Sequence, residues 1–232
     1  SKNSGFAGLN MNSVDFTFGG FFSIGTLSYA WAKLYRKSFL DCNKIEFGDY
    51  RYAEDKIYNY FCYIAGARYA FIDKKIYVYR RNEQSVSNTY RKDGDKDWMR
   101  IAQDLQDKID SLNYEKKQYS QDEIENYESI VAWTIYFAAF FDGKMEYEYS
   151  TGKIRAVINL LKRYASYDLT KKYLKNPLRY TKKIPALSYK IMLGGFAFLM
   201  ICNMYVLLSL GIKLLVDCHI DERLSDTGRK ED

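Results

Sequence analysis

Hydrophobic and polar positions follow two different rhythms along this chain. In the first third, apolar residues recur with a period near two in short runs. This predicts strands at Val14 to Phe22, at 27–35 (LSYAWAKLY), at 68–72 and at 75–80, the last two joined by Asp73-Lys74. The second of these runs into a short helix, RKSFLDCN. Tyr50 to Ala65 carries Ile57, Phe61 and Ile64 at helical spacing. After Asn82 the rhythm changes to 3.6. Asp97 is placed to N-cap a helix whose stripe is Trp98, Ile101, Leu105, Ile109 and Leu112. A second helix is predicted from Gln121 to Phe141, with a face broad enough to be mostly buried. A third covers 151–167, with Ile154, Val157, Ile158 and Leu161 inward and its basic residues outward.

The last pattern is an uninterrupted apolar one. Residues 191–212, IMLGGFAFLMICNMYVLLSLGI, carry no charge. As one helix these residues would span about 33 Å, enough for a bilayer core. Asn203 and three glycines weigh against a simple span. The alternatives are a bend at Gly194-Gly195 with the segment lying in the interface, or packing against the preceding helices.

Composition narrows the chemistry. Of 232 residues, one is histidine, His219, near the C-terminus. A Ser-His-Asp triad, a Cys-His pair and an H-E-x-x-H zinc site all need histidine in the body of the fold, so acid–base chemistry falls to a carboxylate. Cys42, Cys62, Cys202 and Cys218 form no C-x-x-C pair and match no zinc spacing; they read as free thiols in a reducing compartment. Aromatics reach 17%, with 23 Tyr and 14 Phe, which points to a tyrosine-rich core or interface.

The net charge of +6 is unevenly spread. Residues 151–190 hold eleven Lys/Arg against one acid, Asp168, whereas 92–150 hold fourteen acids against seven bases. A basic block beside an uncharged 22-mer favours an anionic membrane surface as partner over nucleic acid.

Several clusters are candidates for chemistry. Glu54-Asp55 opens a helix, where two acids suit the helix dipole; the sharper reading makes Asp55 a general base at a cleft rim. Arg80-Arg81, at a strand end, suits either solvent or a diphosphate. Trp31 and Tyr35 suit either core packing or stacking on a sugar ring. Asp93-Gly-Asp95-Lys-Asp97 has Trp98 and Asp104 where an EF-hand needs Gly and Glu, so it reads as a solvated loop with an N-cap.

In order, the chain then presents Trp31-Ala-Lys33-Leu34-Tyr35-Arg36-Lys-Ser-Phe39-Leu40, Ile45-Glu-Phe47, Glu54-Asp55, and Ile72-Asp73-Lys-Lys-Ile76-Tyr77-Val78-Tyr79-Arg80-Arg81-Asn82-Glu-Gln-Ser85-Val86-Ser87. This series resembles the acceptor half of family 2 glycosyltransferases with the GT-A fold: their W-x-K-L-Y-R segment, I-x-F loop, E-D motif and closing Y-R…N-S-I-S run. The likeness covers about residues 25–90.

The resemblance implies an α/β fold, with a partial GT-A domain followed by a helical C-terminal region that includes a candidate membrane helix. It divides the chain into 1–90 as the acceptor half, 91–170 as a helical region, 171–215 as a basic, apolar membrane-associating segment, and 216–232 as a polar tail. The implied activity is inverting transfer of a sugar from a nucleotide diphosphate sugar to the hydroxyl of a glycan or lipid-linked acceptor, in cell-surface polysaccharide or glycolipid synthesis. Asp55 would be the base, supported by Glu54. Trp31, Lys33 and Tyr35 would bind the acceptor, and Arg80, Arg81 and Ser85 the diphosphate. A divalent metal, Mn or Mg, would be held by an upstream donor half with a D-x-D motif, so the fragment alone is expected to be inactive. The positive-inside rule would keep the catalytic part on the cytoplasmic side of the cell membrane. A non-catalytic membrane-docking or interaction module is the competing reading, and it differs in tolerating Asp55→Asn.

Overall fold

The computed structural model describes residues 29–51, 53–69, 77–78, 90–112, 119–182, 184 and 187–219. Its elements in chain order are α1 (Lys37–Asn43), α2 (Glu54–Ile64), α3 (Gly94–Asp110), α4 (Gln121–Tyr149), α5 (Lys153–Ser166), α6 (Asp168–Leu174), α7 (Pro177–Thr181), α8 (Leu187–Ile201) and α9 (Tyr205–Asp217).

Helix α4 is the axis of the body. A capping box starts it: Ser120 Oγ accepts from the Glu123 amide at 3.1 Å, and Glu123 Oε2 accepts from the Ser120 amide at 2.8 Å. Its middle, including Ile130, Val131, Trp133, Ile135 and Tyr136, is buried on every side. Helices α3, α5, α6, α7, α8 and α9 all pack against it. The helix continues past Phe141 to Tyr149, two turns beyond the expected end. Gly143 makes this packing close, because a Cβ there would sit 2.8 Å from Ile212 Cδ1 on α9.

Several of the most deeply buried rings of the tyrosine-rich core have their polar atoms satisfied, as burial requires. Tyr136 donates to the Tyr173 carbonyl at 2.7 Å, and Tyr173 to Gln106 Oε1 at 2.5 Å. Trp133 Nε1 donates to the Tyr180 carbonyl at 2.9 Å.

The stripe expected on α3 is buried at Trp98, Ile101, Leu105 and Ile109, with Leu112 packed beside it. The helix begins one turn earlier than expected, so Asp97 is not its cap. Asp95 explains the extra turn. It is 1% exposed, pairs with Arg163 on α5 at 3.2 Å, and accepts from the Tyr167 hydroxyl at 3.1 Å. The expected solvated loop is therefore a buried attachment point. Arg163 correspondingly does not simply face outward. On α7, Arg179 binds Glu125 and Glu128, and Lys182 binds Glu125, so part of the basic block closes onto α4.

The α/β expectation is overturned. Among the described residues every regular element is a helix and none is a strand. Val14 to Phe22 lies outside them, as does almost all of 75–80; Tyr77-Val78, and Arg68-Tyr69 of the 68–72 run, have no regular structure. Residues 33–36 have no regular structure, Arg36 having extended backbone, and Trp31, Lys33 and Tyr35 are half-buried while Ala32, Leu34 and Arg36 are exposed. That alternation is what the sequence displays. It reports one-sided burial, which an extended segment lying on a helix satisfies as well as a strand does.

The membrane-helix expectation is also corrected. Among the described residues no helix is long and apolar enough to cross a membrane. The apolar 22-mer is broken at Asn203, not at Gly194-Gly195. Asn203 takes the left-handed conformation, φ 54°. Its amide donates to the Met200 carbonyl at 3.1 Å, and the Met204 amide to Leu199 at 2.9 Å. This is a Schellman stop, and asparagine is the usual substitute for glycine there. Helices α8 and α9 therefore fold as a hairpin.

Candidate functional site

Helix α2 has two buried faces. Ile57, Tyr60, Tyr63 and Ile64 join the main core, where Tyr63 meets Tyr127 edge-on at 5.6 Å. Tyr58 and Cys62 turn the other way, forming a small cluster with Ile45 against Tyr35, Phe39 and Leu40. The helix thus rests on the body with one side and carries the motif-bearing segment on the other. Its first turn holds Glu54, exposed, and Asp55, half-buried, where two acids suit the helix N-terminus.

Two side chains of the segment before α1, Lys33 and Tyr35, converge on this helix. The Tyr35 hydroxyl donates to Asn59 Oδ1 at 3.0 Å, and Asn59 Nδ2 donates to the Asp55 carbonyl at 2.7 Å. Tyr35 also meets Tyr58 edge-on at 5.1 Å, while Phe47 stacks on Tyr58 at 4.1 Å. Lys33 lies in the field of Asp55. Burial draws its pKa down to about 8, and the Asp55 charge opposes that fall. Trp31 stacks with Tyr29 and with Tyr77, both at 4.9 Å between ring centres. The rings most open to solvent there are those of Tyr29 and Tyr77, at 44% and 51% exposure, so a sugar meeting this stack meets them first.

Of the residues expected to form a site, Asp55, Lys33 and Tyr35 come together around α2, and Trp31, two positions before Lys33, stacks with Tyr29 and Tyr77. Glu54 sits at the helix start, facing solvent. Arg80, Arg81 and Ser85 lie outside the described residues. Asn59 was missed, since an Asn four residues after Asp55 reads only as helix surface. Tyr77 stood in the closing motif without a role. Lys56 was missed too; its ammonium lies 4.8 Å from the Phe137 ring centre, and burial draws its pKa down to about 8.

A polar cleft of about 280 Å³ adjoins this region, lined by Asp49, Tyr50, Arg51, Asp97, Arg100 and Ile101. Arg100 lies over the Tyr50 ring at 4.9 Å and donates to the Asp49 carbonyl, and Tyr50 donates to Asp104 at 2.8 Å. None of the expected site residues lines it.

The residues present do not fit a divalent metal. Among the described residues no group of three or more His, Cys, Asp or Glu is arranged to hold one. Within Asp93-Gly-Asp95-Lys-Asp97, Asp95 is committed to Arg163 and Tyr167, and Asp93 to Lys96.

Two alanines next to this site take the left-handed conformation: Ala32 at φ 57° and Ala53 at φ 60°. A side chain there is strained by about 1–2 kcal/mol. Both bracket the candidate residues, one beside Trp31 and one immediately before Glu54.

No family model matches the chain, and no curated protein or solved structure is significantly similar to it.

Proposed function

We propose that residues 29–90 supply the acceptor side of an inverting glycosyltransferase, with Asp55 as general base. The observation that carries this reading is the meeting of Lys33, Tyr35 and Asp55 around α2, with Trp31 close by. Residues chosen from one motif series and separated by some twenty positions share one neighbourhood, with an aromatic surface beside a carboxylate.

In the proposed step the acceptor hydroxyl oxygen attacks the anomeric carbon of the donor sugar. The bond to the nucleotide diphosphate breaks on the opposite face, and the departing oxygen takes the electron pair. Asp55 accepts the hydroxyl proton. Lys33 supplies a nearby positive charge, and Tyr35 and Asn59 fix the first turn of α2. Tyr29, Trp31 and Tyr77 offer ring faces and edges to the acceptor. The donor is a nucleotide diphosphate sugar, the acceptor a glycan or lipid-linked hydroxyl, and the products belong to surface polysaccharide or glycolipid synthesis. No step is assigned to a metal.

The test is sugar transfer by the protein at its full natural length. Asp55→Asn keeps the side chain's shape and removes the base, so kcat is expected to fall by about 10²–10⁴, with the melting temperature and donor affinity nearly unchanged. A variant with near-normal kcat would remove Asp55 from the mechanism, and the reading with it.

A further inference from the structure

The α8–α9 hairpin is apolar and uncharged from Ile191 to Ile212, yet only part of it is buried. Leu193, Phe196, Ala197 and Met200 of α8 and Leu208 and Ile212 of α9 pack into the body. The opposite stripe faces out, with Ile191 at 65% exposure, Phe198 at 58%, Met204 at 43%, Val206 at 59%, Leu210 at 47% and Leu214 at 60%. A helix that is apolar all round belongs in a core or in lipid, and a contiguous exposed apolar face marks an interface.

Length and chemistry decide what covers this face. Helix α8 has 15 residues and α9 has 13, so they run about 22 Å and 20 Å. Each falls short of the roughly 30 Å of hydrocarbon in a bilayer but exceeds the thickness of one leaflet's acyl layer. The turn meets part of its own backbone demand. The amides of Cys202, Asn203 and Met204 donate to the carbonyls of Phe198, Met200 and Leu199. The Asn203 side chain accepts from the Tyr205 hydroxyl at 2.7 Å and donates to the Ile201 carbonyl at 3.5 Å. Buried in hydrocarbon, unmet amides at such a turn would be prohibitive.

The charges around the hairpin are mostly positive. No charge falls between Lys190 and Lys213, and Lys213 is held by Asp217 at the far end of α9. Helices α5, α6 and α7, which pack on the hairpin, carry the basic block. Lys162 and Lys175 are exposed, and like Lys190 they form no ion pair with a described residue. This arrangement suits a flat anionic surface, where phosphate-level charge meets the lysines while the stripe enters the acyl boundary. It suits a second copy of this chain poorly. A two-fold interface through the same face would bring two basic rims together.

We infer that the α8–α9 hairpin seats in one leaflet of an anionic bilayer as a monotopic anchor, with the turn at Asn203 within the lipid and the lysines of α5–α8 at headgroup level. The inference stands independently of the proposed sugar transfer.

Co-sedimentation with unilamellar vesicles of phosphatidylcholine, with and without one quarter phosphatidylglycerol, tests it. The protein is expected to pellet with the anionic vesicles. Phe198→Glu with Leu210→Glu, both on the exposed stripe, is expected to cut partitioning by about tenfold or more without changing the melting temperature. Lys175→Glu with Lys190→Glu is expected to abolish the preference for anionic lipid. To report depth, an environment-sensitive fluorophore is placed on Cys202 in a Cys42→Ser, Cys218→Ser background; its emission is expected to shift to the blue with vesicles. The inference fails if the protein stays in the supernatant, if the Phe198/Leu210 variant partitions like the parent, or if the probe's emission does not move. It also fails if light scattering shows a dimer that Phe198→Glu dissociates while vesicles bind neither form.

Discussion

In residues 29–69 the longest regular element is the 11-residue α2, and the segment is joined largely by ring contacts and single hydrogen bonds: Trp31 with Tyr77, Phe47 with Tyr58, Tyr35 with Asn59. In residues 90–219 a 29-residue helix is wrapped by six others, and its middle is almost wholly removed from water. Each ring pair adds about 0.5–1.5 kcal/mol beyond its burial. Full burial of one large apolar side chain contributes about 1.5–3 kcal/mol, and α4 buries many. The first region therefore borrows its rigidity from the second, through the inner face of α2. It keeps half-open rings, a half-buried carboxylate and strained alanines that a self-sufficient core would not favour. A site assembled on a stable neighbour can afford them.

The largest effect that would break this comparison lies in the body. Trp133 is 1% exposed and its indole satisfies the Tyr180 carbonyl. Trp133→Ala is expected to cost about 4 kcal/mol through a cavity and an orphaned carbonyl. Because α2 docks on the same core, tryptophan fluorescence from Trp31 should change in the same urea transition. Two separate transitions would mean that residues 29–69 hold together without the body.

Much of the body was legible in the sequence, and the reason is physical. The positions Trp98, Ile101, Leu105 and Ile109 recur at helical spacing because one face must be dry, and that constraint writes itself into the chain. What was illegible depended on partners distant in sequence. Asp95 lengthens α3 only because Arg163 and Tyr167, about seventy residues on, reach it. Hydropathy leaves the 22-mer open between a span, a bend at Gly194-Gly195 and packing on the preceding helices, because it counts charges, whereas the stop at Asn203 is a backbone event. The alternation of Trp31, Lys33 and Tyr35 was seen correctly and assigned to the wrong element. In the site, residues with a distinctive motif were found, and the residue that ties them together, Asn59, carries no local mark.

The second prediction contrasts two carboxylates. Asp55 stands at a helix start in the open region; Asp142 is set inside the body, accepting from the Tyr164 hydroxyl at 2.6 Å. Burial raises the Asp142 pKa to about 7, reinforced by the nearby Asp95 and Glu146 charges, while the Tyr164 hydrogen bond opposes the rise. The folded protein therefore binds a proton between about pH 4 and pH 7 that the unfolded chain does not. Stability from this group is present at low pH and is lost as pH rises through 7. Asp142→Asn keeps an acceptor for Tyr164 and removes the charge. It is expected to stabilise the protein by on the order of 2 kcal/mol at pH 8 and by less than half of that at pH 5. Urea titrations at the two pH values check this. An equal effect at both would mean that the body does not penalise this charge.

The smallest effect concerns the strained backbone that separates the two regions most finely. In Lys44 and Asn203 the left-handed conformation ends a helix, with the following amide donating back to Leu40 and Leu199 respectively. In Ala53 it begins one, with no side-chain cap, directly before Glu54-Asp55. Glycine at position 53 would remove the left-handed penalty of about 1–2 kcal/mol. It would add back roughly 0.5–1 kcal/mol of unfolded-state entropy and forfeit the packing of one methyl against the core. Ala53→Gly is thus expected to raise stability slightly, by about 0.5 kcal/mol or less, read as a small upward shift in the urea midpoint. The same change frees the turn that aims Asp55, so sugar transfer should fall even as the fold gains. A fall in both would mean that the Ala53 methyl matters through packing, and that the conformation before Asp55 stores no strain for the site to use.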